Sequence, residues 1–178
     1  MKKTFIEIGA CDFNTLNHFA DHGWQGLIVD PMKKYLDRLE KKPNVEYVIA
    51  AISDTEGTAD FYEFKQEIVD KDHDFAGMST LHPIPANMHL MNKLTVDKMT
   101  YSNLLSTYNI EQVDFLKIDT EGHDLKILKS IDFEGNTRPK VIKIEHKHCD
   151  GLEMFNFLVA NNYHVEFESQ DIYAISLK

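Results

Sequence analysis

Cysteine is scarce: Cys11 and Cys149 are the only two among 178 residues, and no CxxC spacing joins them. That excludes a disulfide framework and a thiolate zinc site. Basic residues are in deficit as well. Nineteen Lys and Arg against 29 Asp and Glu leave a formal net charge of −10. This argues against a nucleic-acid partner and against an anionic membrane surface, because both are bound through clustered cations. Long apolar runs are absent, so no membrane span is expected. The basic start Met1-Lys2-Lys3 leads straight into Thr4-Phe5-Ile6-Glu7 without the apolar stretch of a signal peptide, and a cytoplasmic location is expected. No internal repeat, linker or low-complexity tract interrupts the chain.

The composition that remains, 43% hydrophobic and 27% charged, suits one globular domain spanning 1–178 with a core of its own. Apolar runs that read as strands fall at 5–9, 27–29, 45–52, 58–64, 94–99, 113–118 and 141–144, and a closing pair at 163–167 and 172–177. Helical spacing falls between them, as in Met32, Tyr35, Leu36 and Leu39, or Met154, Phe155, Leu158 and Val159 after Asp150-Gly151. Strands alternating with helices imply an α/β fold of Rossmann-like type: a mostly parallel sheet with right-handed crossovers and helices on both faces. The closing pair implies a C-terminal hairpin with one strand inserted antiparallel. Residues 65–92 show no clear periodicity and are expected to be a functional insertion on the substrate side.

The stretch from Val113 to Leu128 organises the chemistry. A buried strand holding one lysine stops at Asp119-Thr120-Glu121-Gly122, with His123 next. In open α/β sheets that end of a strand is where ligands bind. A helix N-cap at Asp119 would explain one acid, but not Asp, Glu and His together. Other strand ends carry Glu7 with Gly9 and Ala10, Asp30-Pro31, Ser53-Asp54, and Glu145-His146. Asp30 is placed to accept two ribose hydroxyls, since a carboxylate has two acceptor oxygens; a turn residue before proline is the plainer reading. Glu7, inside an apolar strand, needs a partner that a cationic ligand would supply, and Gly9 lets the backbone approach a ligand. A dinucleotide site wants G-x-G-x-x-G. Gly9-Ala10-Cys11-Asp12-Phe13-Asn14 has one glycine and an added anion, which suits a cationic sulfonium with an amino-acid tail better than a nicotinamide pyrophosphate.

The run Asp114-Phe115-Leu116-Lys117-Ile118-Asp119-Thr120-Glu121-Gly122-His123 resembles the Leu-Lys-Ile-Asp-x-Glu-Gly signature of the FkbM-type family of class I S-adenosylmethionine-dependent methyltransferases. Glu7-Ile8-Gly9-Ala10, Asp30-Pro31, Ala51-Ile52-Ser53-Asp54 with Gly57, Ser79-Thr80-Leu81 and Pro139 to Glu145 follow in family order. The resemblance implies an O-methyltransferase using S-adenosylmethionine on a hydroxyl of a small molecule or glycan, a sugar hydroxyl being favoured. It implies that Glu7, Gly9 and Ala10 line the methionine end of the cofactor, that Asp30 with Pro31 holds the ribose, that Ser53 and Asp54 lie near the adenine, and that Asp119 faces the reactive centre. Phe13 stands where the family has a glycine. No helical segment precedes the first strand, so a substrate cap is expected from residues 65–92 or from the second subunit of a homodimer.

A sugar hydroxyl is a poor nucleophile, so a base beside it is expected. Glu121, His123, Glu145 and His146 are the candidates, with the histidines preferred because they titrate near neutrality. No spacing is diagnostic of a metal, and none is assigned. In a metal-assisted variant Asp119, Glu121, Glu145 and His146 would supply oxygen and nitrogen ligands to an ion such as Mg²⁺. His73, His82 and His89 read as loop residues, and Lys117 as the partner of an acid within the sheet. Outside the enzymes, a methyltransferase-like binding module without activity is the alternative, and Phe13 is the residue that hints at it.

Overall fold

The computed structural model describes residues 2–178. In chain order it runs β1 (Thr4–Ile8), β2 (Gln25–Val29), α1 (Lys33–Leu36), β3 (Val45–Val48), β4 (Ala51–Ser53), β5 (Gly57–Phe64), α2 (Gln66–Val69), α3 (Asp74–Gly77), β6 (Met91–Thr100), α4 (Tyr101–Thr107), β7 (Phe115–Ile118), α5 (Asp124–Ser130), β8 (Val141–Glu145), α6 (Gly151–Ala160), β9 (Tyr163–Glu168) and β10 (Asp171–Ser176). Among the described residues these strands build a seven-stranded sheet in the order β3-β2-β1-β7-β8-β10-β9 and a three-stranded sheet in the order β4-β6-β5. In the larger sheet β10 alone runs antiparallel to its neighbours, β8 on one side and β9 on the other. This is the expected Rossmann-like α/β architecture, a mostly parallel sheet with the closing hairpin where the paired terminal strands placed it. No helix among the described residues is long and apolar enough to cross a membrane.

The central strands are apolar on both faces because both faces are covered. Ile6, Ile8, Leu116, Ile118, Ile142 and Ile144 lie in one core cluster, while Phe5 and Ile28 lie in another on the opposite side. Short polar caps set where helices begin. The Thr100 side chain accepts the Asn103 amide to start α4, and Asp150 accepts the Glu153 amide to start α6, each satisfying an otherwise orphaned N–H.

Four expectations change. The apolar run 45–52 is two strands: β3 stays in the large sheet, and β4 pairs parallel with β6 in the small one. An apolar run reads alike whether it lies in one sheet or bends between two, so periodicity could not mark the break. The early helices are short, a six-residue 3-10 helix at Asn17–His22 stopped by Gly23 at φ 81° and the four-residue α1. Residues 65–92 are ordered rather than irregular. They form α2, α3, a 3-10 turn at Pro85–Leu90 and a bridge from Thr80 to Tyr62, packed through Val69 and Ala76 onto Cys11, Tyr35 and Phe64.

The fourth change concerns charge. Glu7 is fully buried, and its counter-charge is a lysine of the chain rather than a ligand. Lys117, its register partner across β1 and β7, sits 3.2 Å from Glu7 Oε1 and 3.2 Å from Asp119 Oδ2. The Leu16 amide donates to Glu7 Oε2 at 3.0 Å. Burial lifts the Glu7 carboxyl above its usual range against the pull of Lys117. Burial would lower Lys117, and the attraction of Glu7 and Asp119 overrides it. Breaking a buried pair costs more than the pair is worth, since a charge is left uncompensated. Lys117→Met is therefore expected to destabilise the protein by about 3–5 kcal/mol, with Glu7→Gln in the same chain recovering part of the loss. Urea denaturation measures both, and a single-mutant loss below about 1 kcal/mol would show that the pair is not ionised in the folded state.

Candidate active site

The strand order reverses between β1 and β7, and the crevice beyond their carboxyl ends is where an open α/β sheet takes a ligand. Here the loops after β1, β2 and β7 converge. Gly9 turns the first at φ 81°. A Cβ on it would lie 1.7 Å from the Asp119 carbonyl oxygen, so the glycine is required by contact between two backbones and not by a ligand alone. Cys11 follows at φ 48°. Its amide donates to Asp30 Oδ2 at 2.8 Å, and the Met32 amide donates to Asp30 Oδ1 at 2.7 Å. Asp30 thus ties the first two loops together, and burial pushes its pKa up to about 6.

A narrow cleft opens between these loops. Gly9, Asp30, Pro31, Tyr35, Asp119 and Thr120 contribute to its polar side, and Ile52, Phe61 and Leu81 to its apolar wall. The Tyr35 hydroxyl and the Thr120 hydroxyl are buried and have no hydrogen-bond partner among the described residues. Buried polar groups are ordinarily paired, so two orphans on one cleft mark a place for a polar ligand. Ala10 is buried behind the loop, and Glu7, Ser53 and Asp54 also stand outside this cleft.

The loop after β7 is held by a side chain missed from the sequence. Asp124, fully buried, folds its carboxylate back to accept the Thr120 amide at 2.8 Å and the Gly122 amide at 2.9 Å. This supports Glu121 at φ 54°, a conformation costly to most side chains. The first residue before α5 is His123, not Asp119. Thr80 Oγ1 donates to the Glu121 carbonyl at 2.7 Å, which fastens the 65–92 segment to this loop. The same segment covers the first loop. Asp12 meets Arg38 and His73, each at 2.8 Å, and Phe13 packs where a Cβ on Gly77 would come within 2.5 Å of its ring. Phe13 is a clamp on the insertion.

A second cleft lies on the far side of the same loop, between Phe64, Met78, His82 and Ile84 and the residues Glu121, Gly122 and His148 that follow strand ends. Glu121 Oε2 is 3.1 Å from His148 Nε2, and Glu145 stands beside them. Burial, with repulsion from Asp119, raises Glu121 to about 7. Burial, with repulsion from Glu121, raises Glu145 to about 8.

The two predicted histidines fare differently. His123 Nε2 lies 3.0 Å from Ser53 Oγ, and its Nδ1 lies 2.7 Å from His82 Nε2, the two rings being stacked. Ser53 Oγ is itself 3.0 Å from Asp54 Oδ1. All four groups are satisfied if His82 donates to His123, His123 to Ser53 and Ser53 to Asp54. Both nitrogens of His123 are therefore engaged. His146 faces the β9–β10 turn, 3.2 Å from the Ser169 carbonyl, and lines neither cleft. His148, two residues on, takes the place expected of it. No sequence signal separates the two, because the path of the turn after β8 decides which ring points inward.

The methyltransferase FkbM domain model matches residues 7–165. The chain belongs to the FkbM methyltransferase family. No curated protein matches it. Among solved structures it is similar to a chain of a fibrillarin/Nop5p complex, with a TM-score of 0.48 and 12% identity over 97% of this chain and 71% of that one. It is also similar to precorrin-6y C5,15-methyltransferase from Geobacter metallireducens GS-15, with a TM-score of 0.44 and 13% identity over 98% and 79% of the two chains.

In this methyltransferase burial, with the neighbouring His82 and Lys126, lowers His123 to about 4. Its ring carbon resonances should stay unshifted as pH falls from 8 to 5, as followed by NMR. The unfolded chain takes up a proton on this ring near pH 6.5 and the folded one near 4, so stability is lost as pH falls through that window. A His123 titration midpoint above 6 would show the relay to be open to solvent.

Proposed function

We propose that the chain is an S-adenosylmethionine-dependent O-methyltransferase whose cofactor occupies the first cleft and whose acceptor enters the second. The observation that carries this reading is the junction of the two clefts at the loop Asp119–Gly122: Asp119 and Thr120 face one, Glu121 and Gly122 the other.

The residues present fit the cofactor. Asp30 has spent one lone pair of each oxygen on a backbone amide and keeps the others for ribose hydroxyls. The unpaired hydroxyls of Tyr35 and Thr120 await polar partners, and Ile52, Phe61 and Leu81 offer a slot for an aromatic base. Bound there, S-adenosylmethionine supplies a methyl group on a sulfonium sulfur. Asp119 brings negative charge to the cleft, complementary to that cation. Glu7 acts one step away, holding Lys117 and the first loop, and Ser53 with Asp54 acts through His123.

Much of methyl transfer is positioning of two reactants. The acceptor hydroxyl is oriented where Glu121, Glu145 and His148 meet at the second cleft. His123 and His146 leave the list of bases, the first because both its nitrogens are engaged and the second because it faces away. A hydroxyl of a small molecule or glycan is the favoured acceptor, a sugar above all: the net charge of −10 and the acidic loop repel phosphorylated or polyanionic substrates.

Calorimetric titration with S-adenosylmethionine tests the cofactor. Asp30→Ala should weaken binding at least tenfold. With wild type, affinity should fall as pH drops below about 6, because protonated Asp30 loses acceptor capacity for the ribose. Absence of binding by S-adenosylmethionine and by its demethylated product would overturn the reading and leave a methyltransferase-like binding module in its place.

A further inference from the structure

We propose that Glu121, Glu145 and His148 form a divalent-cation site at the edge of the acceptor cleft. One ligand atom from each of the three lies within 4.8 Å of the others. The 3.1 Å between Glu121 Oε2 and His148 Nε2 matches the roughly 3 Å edge of an octahedron whose metal–ligand bonds are about 2.1 Å. Such a trio leaves further positions open toward the cleft that Glu121 and His148 line.

A second observation points to a ligand. Glu145 is only 7% exposed, and its Oε2 is buried with no hydrogen-bond partner among the described residues. The neighbouring acids are already provided for: Asp124 accepts two backbone amides and Asp119 pairs with Lys117. Glu145 alone of this group is left without a partner. A carboxylate in that setting is costly without a cation, and no lysine or arginine forms an ion pair with it among the described residues. Two carboxylates and one imidazole make a mixed oxygen and nitrogen donor set, suited to Mg²⁺ or Mn²⁺ more than to a thiolate-seeking ion. The set differs from the one drawn from the sequence, with His148 in place of His146 and Asp119 committed elsewhere. What the cation does there, namely to take up the acceptor oxygen and orient it, rests on the proposed O-methyltransferase reading; the site itself does not.

The test is titration of the full-length protein with Mn²⁺ alone, following the electron paramagnetic resonance of the free ion and the heat of binding. One equivalent should bind. Glu145→Gln, nearly isosteric, and His148→Ala, at an exposed position, should each weaken binding tenfold or more, while Asp60→Asn on the far sheet should leave it unchanged. Thermal melts of the variants confirm that they fold. Absence of Mn²⁺ binding at millimolar concentration, or equal binding by wild type and both variants, would overturn the site and leave Glu121 and His148 as a plain hydrogen-bonded pair. S-adenosylmethionine titrated into the same preparations separates the two ideas. Mn²⁺ bound without the cofactor sinks the enzyme reading alone, and cofactor bound without Mn²⁺ sinks the cation site alone.

Discussion

The centre of this protein is one buried ammonium group. Lys117 stands between Glu7 on the neighbouring strand and Asp119 at the end of its own, and much of the cleft depends on that arrangement. A carboxylate in the middle of a sheet is tolerable only if compensated. Once Lys117 provides that compensation, the other oxygen of Glu7 is free to accept the Leu16 amide and anchor the loop after β1. Asp119 is drawn to the rim, where its own backbone meets Gly9. Charge pairing across two parallel strands thereby sets the approach of the two loops that bound the first cleft.

Around that centre the smaller sheet and the 65–92 segment act as a cover. Asp12 and Phe13 hold it over the first loop, and Thr80 holds it to the second. The cover divides the crevice into two clefts and brings His82 against His123. The two cleft residues held in left-handed conformations without being glycine or asparagine, Cys11 and Glu121, are on the loops it covers. Strain of this kind persists only where the surroundings over-determine the backbone; Asp30 and Asp124 supply the hydrogen bonds that do so.

Much of the fold was legible in the sequence. Buried parallel strands announce themselves as short apolar runs between turn residues, so β1, β2, β7 and β8 emerged within a residue or two, as did Asp150 capping α6. The alternation of strand and helix, and the unbroken pair of strands at the end, carried the sheet topology. Two features were not legible. The bend between β3 and β4 leaves no mark in an apolar run. The order within 65–92 comes from packing on Tyr35, Cys11 and Phe64, contacts distant in sequence that impose no period of their own.

The candidate site divides along the same line. Acids at strand ends could be named beforehand because parallel topology carries every such end to one edge of the sheet, whatever the side chains do next: hence Asp30, Asp119, Glu121 and Glu145. Glycine at position 9 was legible as a close approach, though not as an approach to Asp119. Which side chains turn inward from the loops was another matter. His146 and His148 are chemically equivalent and differ only in the path of the turn after β8; Glu7 met a lysine where a ligand was expected; and His82, far from His123 in sequence, reached it only through the folded insertion. The sequence by itself determined the alternation of strands and helices, the mostly parallel sheet with its closing hairpin and the edge at which acids gather, since these follow from local pattern and chain connectivity. Only the tertiary structure decided which groups are paired and which are left without partners, because that depends on distances between loops that no local pattern encodes.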